Sequence, residues 1–417
     1  MTTLKNHPQI DAKINPPILQ AIILSLLSLL SIVAPNSFQM ATAATLIAAF
    51  VCSIFLISKS DISNKYLSLM YLSILVTIAY MIVGTVNGAP DEAITQVIII
   101  YIASPLLWFI TLSAALRTIG EDNIIEILKP ITLLCAASVG AFFFLFLHYG
   151  AESVYFLKEN ANVNTAEGYS GANMHVYGSL IFLTGAFFSA TDKLKNVLFK
   201  IIMLGVLFIC AITSGRSALI LAAPLGLAIG FLLPEKKLRA VPAPKKTKLY
   251  AVLSIVVGVI IISAFLHIDL LLIIEMFFDE LLSGGGSARS EQSIALIEGA
   301  AASYGLGAGH GIGVDYIRSY DYPWRYESIW LATLHRTGVI GAIIYSLPAT
   351  IYIFGTLKKS INQGLSSSER FFFGGFICIF LASNTNPYIE AVPFQWMYIL
   401  PVVAFFMREN NRKITSL

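Results

Sequence analysis

The chain has 417 residues, of which 57% are hydrophobic and 12% are charged, and its formal net charge is +3. A mean hydropathy of +0.77 excludes an ordinary soluble domain, in which about 45–50% of residues are apolar. The net charge itself says little, because the placement of Lys and Arg matters more than their sum in a membrane protein. All four cysteines fall inside apolar runs and are expected to be buried, without disulfides. No metal-binding or nucleotide-binding motif occurs, so no metal, cofactor or nucleic-acid partner is expected.

Runs of about 20 apolar residues recur along the chain, and each is long enough to cross a hydrocarbon core of about 30 Å. The fold class predicted is an all-α polytopic membrane protein, with residues 1–417 forming a single integral membrane domain. No signal-peptide cleavage pattern precedes the first span. Twelve transmembrane helices are predicted at about 17–35, 38–58, 66–87, 96–116, 130–149, 172–190, 198–214, 217–233, 249–267, 331–357, 371–386 and 393–407.

Basic residues are distributed unequally between the two faces that these spans create. With a cytoplasmic N-terminus, 21 of the 27 lysines and arginines lie on the cytoplasmic face. This asymmetry follows the positive-inside rule and predicts that both termini are cytoplasmic. Residues 234–248, PEKKLRAVPAPKKTK, then form a cytoplasmic linker that anchors the topology, and residues 268–330 form one large outer loop.

Five of the six basic residues on the outer face are arginines. Among them, the position of Arg216 is the most informative about function. It lies between two apolar runs, at the outer end of the hairpin predicted for spans seven and eight. A charge this close to the membrane core usually faces a partner or a wet cavity. Two interpretations stay open: Arg216 snorkels to the outer headgroups, or its guanidinium recognises a diphosphate.

No other stretch of the chain is as polar as Ser283 to Gly341 and at the same time as rich in glycine and aromatic residues. Arg289 follows three glycines and lies in the first turn of a predicted helix, where free backbone N–H groups also favour anions. The alternative is a surface ion pair between Arg289 and Glu291 or Glu298. Residues 305–313, GLGAGHGIG, are not preceded by a strand, which argues against a dinucleotide-binding loop.

These glycines instead predict a compact turn that lets the backbone approach a substrate. His310 within the turn is either a hydrogen-bond donor of the loop or a catalytic group. Glu327 opens the next predicted helix, with His335 and Arg336 about two turns further along. An acidic residue at a helix start is favoured by the helix dipole, but a carboxylate beside an Arg-rich segment also suits a general base.

Aromatic and amide side chains near the same segment have two interpretations each. Trp324, Tyr326 and Trp330 belong either to an interfacial belt or to a platform that stacks on sugars. The sequence Asn384-Thr385-Asn386-Pro387 terminates span eleven, or it provides a hydrogen-bonding rim for a polar ligand.

Taken in order, these motifs resemble the O-antigen polymerase/ligase superfamily of bacterial envelope glycosyltransferases. The matching features are TSGRSAL at a span junction, SARSE opening a large outer loop, a GLGAG turn, and a polar residue entering a helix that ends GVIG. The resemblance covers roughly residues 212–387. It implies a twelve-helix membrane fold of the GT-C kind, a lipid-diphosphate donor, no metal, and a periplasmic position for the outer loop.

The same resemblance implies roles for individual residues. In the O-antigen ligases, two required arginines correspond to Arg216 and Arg289, and a histidine opens the helix after the loop. Glu327 stands in that histidine's place here, which favours the polymerase branch, of the Wzy type. The resulting hypothesis is an inverting transferase of the inner membrane that joins undecaprenyl-diphosphate-linked oligosaccharides, with Arg216 and Arg289 supplying countercharge and Glu327 acting as base. The candidates for substrate binding are Arg318, Arg325, His310, Tyr326, His335, Arg336 and Asn386.

Two other functions stay open beside this hypothesis. A ligase that moves the glycan onto lipid A-core belongs to the same class. A flippase for lipid-linked oligosaccharides belongs to another, although flippases carry their charges on helices that line a central cavity. Membrane lipids are expected partners, and a chain-length regulator is a possible one.

Overall fold

The computed structural model describes residues 16–33, 35, 38–57, 63–150, 153, 161–164, 171–174, 177–213, 217–236 and 287–415. Predicted span nine, at about 249–267, lies outside these residues, and so does Arg216. The helices of the described chain are α1 (Pro16–Val33), α2 (Gln39–Ile54), α3 (Asn64–Val86), α4 (Asp91–Val97), α5 (Ser104–Thr118), α6 (Glu121–Tyr149), α7 (Tyr177–Ser189), α8 (Val197–Thr213), α9 (Ser217–Leu232), α10 (Ser287–Ala302), α11 (Ile329–Gln363), α12 (Ser367–Ala382) and α13 (Trp396–Thr415).

Shorter elements complete the description. A π-helix, Ile98–Ala103, joins α4 to α5, and 3-10 turns lie at Thr191–Lys193, Tyr388–Glu390 and Val392–Phe394. Strands β1 (Ala161–Asn164) and β2 (Gly171–Met174) form an antiparallel hairpin that the sequence analysis does not predict.

Four of the described helices are long and apolar enough to cross a membrane. They are Asn64–Val86, the continuous segment Asp91–Thr118, Glu121–Phe146 and Ile329–Gln363, and shorter apolar helices accompany them. The prediction of a mainly helical membrane protein is therefore confirmed in its coarse form. All four cysteines are described; no disulfide joins them, and three are buried.

The start of α6 differs from the prediction for span five. The helix begins at Glu121, and not near residue 130, because Gly120 adopts a positive φ of 84° that separates it from α5. Glu121 and Asp122 then occupy its first turn, where acidic side chains interact favourably with the helix dipole. The polar first turns escape a search for apolar runs because their sequence is EDNIIEILK.

Helices α7, α9 and α12 pack together through small residues. A Cβ atom added to Gly226 of α9 would lie 2.6 Å from the carbonyl oxygen of Gly185 in α7, and one on Gly230 would lie 2.6 Å from that of Ser189. The backbones therefore approach more closely than larger side chains permit. Such small-residue contacts are a usual means of helix association in membranes, where the hydrophobic effect does not drive it.

Helix α11 is broken at Gly338, whose φ of 60° and ψ of −173° are not helical. The glycine-rich segment 305–311 fills the break. The backbone N–H groups of Ala308 and Gly309 donate to the carbonyls of His335 (2.8 Å) and Arg336 (2.9 Å), and the N–H of Val339 donates to Gly305 (2.9 Å). Hydrogen bonds from outside the helix thus replace those that the break removes.

The opposite side of segment 305–311 is bound to α3. The backbone N–H of His310 donates to the carbonyl of Tyr80 (2.9 Å), and Asn87 Nδ2 donates to the carbonyl of Ala308 (2.8 Å). Gly309 has a positive φ of 100°, and its Cα lies against the backbone of Gly84. The sequence predicts that this turn brings backbone close to a substrate; in the structure, the backbone it approaches is that of two helices.

The end of the bundle opposite the start of α11 carries a network of ion pairs. Arg370 is buried and pairs with Asp192 (3.0 Å) and Glu235 (2.9 Å). Glu369 pairs with Lys359 and with Arg408. Its basic members, Lys359, Arg370 and Arg408, are among the 21 lysines and arginines that the sequence analysis predicts to be cytoplasmic.

Gly84 provides a test of the contact between segment 305–311 and α3. A Cβ at this position would overlap the carbonyl of His310, so Gly84→Ala is expected to destabilise the protein by about 1–3 kcal/mol, as overpacking does. Gly205→Ala in α8 is the matched control, because nothing lies within 4 Å of its added Cβ and alanine is the better helix former. Thermal unfolding of the purified protein in detergent measures both. Equal melting temperatures would contradict the described packing.

Candidate functional site

One face of α10 is directed at the segment that enters α11. Arg289, Gln292 and Leu296 are spaced three and four residues apart, so they share this face. The side-chain oxygen of Gln292, which is buried, accepts hydrogen bonds from the backbone N–H groups of Glu327 (2.8 Å) and Ser328 (3.1 Å). These donors precede the first turn of α11 and need such partners. Helix α10 therefore fixes the backbone of Glu327.

The carboxylate of Glu327 is shared by two arginines. Arg289 Nε donates to Glu327 Oε2 at 2.7 Å, and Arg318 Nη2 donates to Glu327 Oε1 at 2.8 Å. The side chains of Arg289, Arg318 and Glu327 are 26%, 35% and 22% exposed, so water reaches all three. The alternative that Arg289 pairs with Glu291 or Glu298 is wrong: its partner is Glu327.

A cavity of about 980 Å³ adjoins this cluster. Its polar end includes Arg318, Arg325 and Glu327, together with Asn386 and Glu390. The rest of its wall is largely apolar and is formed by α2, the π-helix and α5, with Met40, Leu46, Ile47, Ile99, Ile100 and Leu107. The guanidinium of Arg325 lies 4.8 Å from the centre of the Tyr322 ring. The cavity thus combines an end lined by charged residues of both signs with a largely apolar wall.

Residues 325–327 alternate between this cavity and the interior. Arg325 and Glu327 line the cavity, whereas Tyr326 between them is fully buried. The hydroxyl of Tyr326 accepts a hydrogen bond from the backbone N–H of Val314 (2.7 Å), and burial raises the pKa of this phenol. The expectation that Tyr326 is a belt residue or a sugar platform is therefore wrong, because its ring has no exposed surface.

Beneath the cavity, Arg336 and Glu390 form a buried ion pair in which each side chain is 5% exposed. Tyr101 of the π-helix donates to Glu390 Oε1 (2.5 Å), and Arg336 Nη1 lies 3.2 Å from the same hydroxyl. Arg336 Nη2 also donates to the carbonyl of Trp324 (2.6 Å). Arg336 therefore holds the loop from below.

The segment that carries Glu390 is fastened to α5 and the π-helix. Gln395 Nε2 donates to the carbonyl of Ile100 (2.8 Å), and Ser104 donates to Gln395 Oε1 (2.7 Å). Trp108 Nε1 donates to the carbonyl of Val392 (2.9 Å). A π-helix leaves a carbonyl without its usual partner, and Gln395 supplies one for Ile100.

His310 and His335 are both buried and do not line the cavity with Glu327. His310 Nε2 lies 3.1 Å from the hydroxyl of Tyr345, which lies 2.6 Å from Thr77 Oγ1. Burial, assisted by the positive charge of Arg336, lowers the pKa of His310 to about 3. His335 packs against Gly299 of α10.

The structure thus brings together Arg289, Arg318, Arg325, Glu327 and Asn386 from the candidates that the sequence provides. It does not bring His310, His335, Arg336 or Tyr326 to the surface of this cavity, because all four side chains are buried and His335 lines a separate cavity beside α10.

Sequence reasoning missed Gln292, Tyr101 and Glu390. The position of Gln292 one turn after Arg289 is a usable signal, and so is the single carboxylate at position 390 between two apolar runs. Tyr101 has no such signal, because it looks like any tyrosine within a span.

Comparison with models of known protein families finds no match to this chain, and comparison with curated proteins finds none either. Among the described residues, no three His, Cys, Asp or Glu side chains come together in the manner of a metal site.

The ion pair between Arg336 and Glu390 predicts a large effect on stability. Glu390→Gln leaves a buried guanidinium without its carboxylate, which costs about 3–5 kcal/mol. The double variant with Glu390→Gln and Arg336→Met is expected to lose less stability than the two single variants together, because the second change removes the uncompensated charge. Lys193→Gln, which breaks a pair with the 75% exposed Asp122, is the control and is expected to cost less than about 1 kcal/mol. Thermal unfolding compares them, and additive effects would contradict a coupled pair.

His310 predicts a pH dependence of stability. Folded His310 resists protonation down to pH of about 3, whereas an unfolded histidine binds a proton below about pH 6.5. The unfolded state therefore binds more protons in this window, so this contribution is complete above pH 6.5 and is lost as the pH falls towards 3. Glutamine is neutral at every pH, so the free energy of unfolding of His310→Gln is expected to fall by about 2 kcal/mol less between pH 7.5 and pH 5 than that of the unmodified chain. Melting curves of both proteins at pH 7.5 and at pH 5 measure these losses of stability, and equal losses would contradict the prediction.

Proposed function

We propose that this chain is an inverting, metal-independent glycosyltransferase that polymerises undecaprenyl-diphosphate-linked oligosaccharide repeats. Within this proposal, it acts at the periplasmic face of the bacterial inner membrane and has twelve transmembrane helices arranged as in the GT-C fold. It belongs, in the same proposal, to the O-antigen polymerase/ligase superfamily. The observation that carries the proposal is the cluster of Arg289, Arg318 and Glu327 at the charged end of a cavity whose remaining wall is largely apolar.

An amphiphilic anion suits this cavity. Arg318 and Arg325 line its polar end, and Arg289 adds a third positive charge beside it through the ion pair with Glu327. Glu327 offsets one of these charges, and Glu390 is paired with Arg336. The surplus favours a ligand with at least two negative charges. Guanidinium groups bind phosphate oxygens with a planar fork of donors, which an ammonium lacks. The apolar wall on α2 and α5 suits a polyprenyl chain, and the volume of about 980 Å³ leaves room for sugars.

The proposed reaction follows from these roles. A sugar hydroxyl of the acceptor attacks the anomeric carbon of the donor from the side opposite the diphosphate. The bond between that carbon and the diphosphate oxygen breaks, and its electron pair leaves with the diphosphate. Arg289 and Arg318 stabilise the charge that develops there, and Arg216 is expected to join them. Glu327 takes the proton of the hydroxyl, and Arg325 holds the acceptor.

The orientation of the chain is part of the same proposal. The Arg289 cluster is assigned to the periplasmic side, and the network around Glu369 and Arg370 to the cytoplasmic side. The support is the excess of basic residues in the segments assigned to the cytoplasm.

Glycan profiles of a deletion strain that carries single variants test the proposal. Arg289→Lys is expected to lose most polymer despite keeping its charge, because one charge-assisted hydrogen bond contributes about 1.5–3 kcal/mol. Glu327→Gln keeps the shape of the side chain but is expected to abolish polymerisation, whereas His335→Ala weakens it only partly. Glu291→Gln on the exposed side of α10 is the matched control and should give normal ladders. All variants are compared at equal protein level.

The profile of the deletion strain also separates the other functions. A polymerase deletion leaves surface glycan with a single repeat. Long lipid-linked chains that accumulate would instead indicate a ligase, and repeats trapped inside the cell would indicate a flippase. Full ladders from Glu327→Gln would remove the base assignment, and loss of the ladder in His335→Ala beside them would transfer that role to the histidine.

A further inference from the structure

The pairing of Glu327 with two arginines raises a question about the proposed reaction. Both carboxylate oxygens accept a hydrogen bond from a guanidinium group, so one lone pair of each oxygen is engaged by an arginine of the protein and not by a substrate. Each arginine, however, uses only one of its five N–H donors on Glu327. Within the described part of the chain, neither guanidinium makes a second hydrogen bond or ion pair. Both oxygens of Glu327 are therefore hydrogen-bonded, whereas both guanidinium groups keep unused N–H donors.

We propose that Glu327 is an internal substitute for the diphosphate of the substrate: its carboxylate occupies the anion position on Arg289 and Arg318 and is displaced when a diphosphate binds. This inference rests on the proposed function, because it takes the diphosphate as the ligand. Carboxylate and phosphate oxygens accept the same guanidinium donors, so they compete for the same place.

The exposure of the cluster makes this exchange feasible. The three side chains are between 22% and 35% exposed, so water reaches both ion pairs and weakens them by screening. A diphosphate carries more charge and more acceptor oxygens than one carboxylate. A bound diphosphate can therefore form more hydrogen bonds with Arg289 and Arg318 than these arginines lose when the carboxylate of Glu327 leaves.

The anchoring of the backbone decides where the displaced carboxylate goes. Gln292 holds the N–H groups of Glu327 and Ser328, and Tyr326 beside them is fully buried. Displacement is thus confined to rotation of the Glu327 side chain, which stays at the cavity. Binding of the donor releases the base at the place where the acceptor hydroxyl arrives. Proton transfer is thereby coupled to occupancy of the donor site.

Calorimetric titration of the purified chain in detergent tests the exchange without any sugar transfer. Inorganic pyrophosphate and farnesyl diphosphate serve as probes. Removing the competing carboxylate in Glu327→Gln, and independently in Glu327→Ala, is expected to tighten binding of both probes about tenfold relative to the unmodified chain. Arg289→Lys and Arg318→Lys are expected to weaken it. Glu291→Gln removes the same charge from α10, two residues from Arg289, and is expected to have no effect.

Three results would overturn the inference. The first is binding by both Glu327 variants that is no tighter than that of Glu291→Gln, which would show that the carboxylate does not compete. The second is weaker binding by both, which would make the carboxylate a part of the anion site. The third is a gain seen only with farnesyl diphosphate, which would locate the effect at the apolar chain. None of these results depends on glycan ladders, so failure of the proposed function is recognised separately.

Discussion

The buried ion pair between Arg336 and Glu390 is the constraint on which the arrangement of the site depends. Two charges removed from water are tolerated only when they meet each other and when further hydrogen bonds satisfy them. Tyr101 and the carbonyl of Trp324 provide those bonds, so the π-helix, the loop, α11 and the turn after α12 have to come together in one place. The buried pair thereby also fixes the positions of the more exposed arginines above it.

Depth in the protein separates two kinds of charge pair here. Breaking a buried pair costs about 3–5 kcal/mol, whereas an exposed pair contributes about 0–1 kcal/mol. The pair below the cavity is suited to holding a shape, and the pairs of Glu327 with Arg289 and Arg318 are suited to changing partners. Arginine and glutamate thus form a structural ion pair where they are buried and replaceable contacts where they are partly exposed.

The sequence predicts the membrane character and the Arg-rich segment well, because both depend on local composition. It also selects Arg289, Arg318 and Glu327, since charges beside apolar spans are costly and stand out. It does not reveal that Arg336 points inward, because a charged residue and its partner 54 positions later give no local pattern. The break at Gly338 escapes for a similar reason: the glycines at 305–309 that compensate for it belong to another part of the chain. Pairings over such distances are decided by packing and not by periodicity.

The break in α11 has a consequence for how the chain enters the membrane during synthesis. A helix interrupted at Gly338 exposes carbonyl groups that a lipid environment cannot satisfy. The groups that satisfy them, at Ala308 and Gly309, are translated earlier and rest on α3, which is earlier still. When α11 leaves the ribosome, the segment of the chain that it binds has therefore already been synthesised. Insertion of this helix is then a docking event onto a prepared surface, which ties the order of translation to the order of assembly.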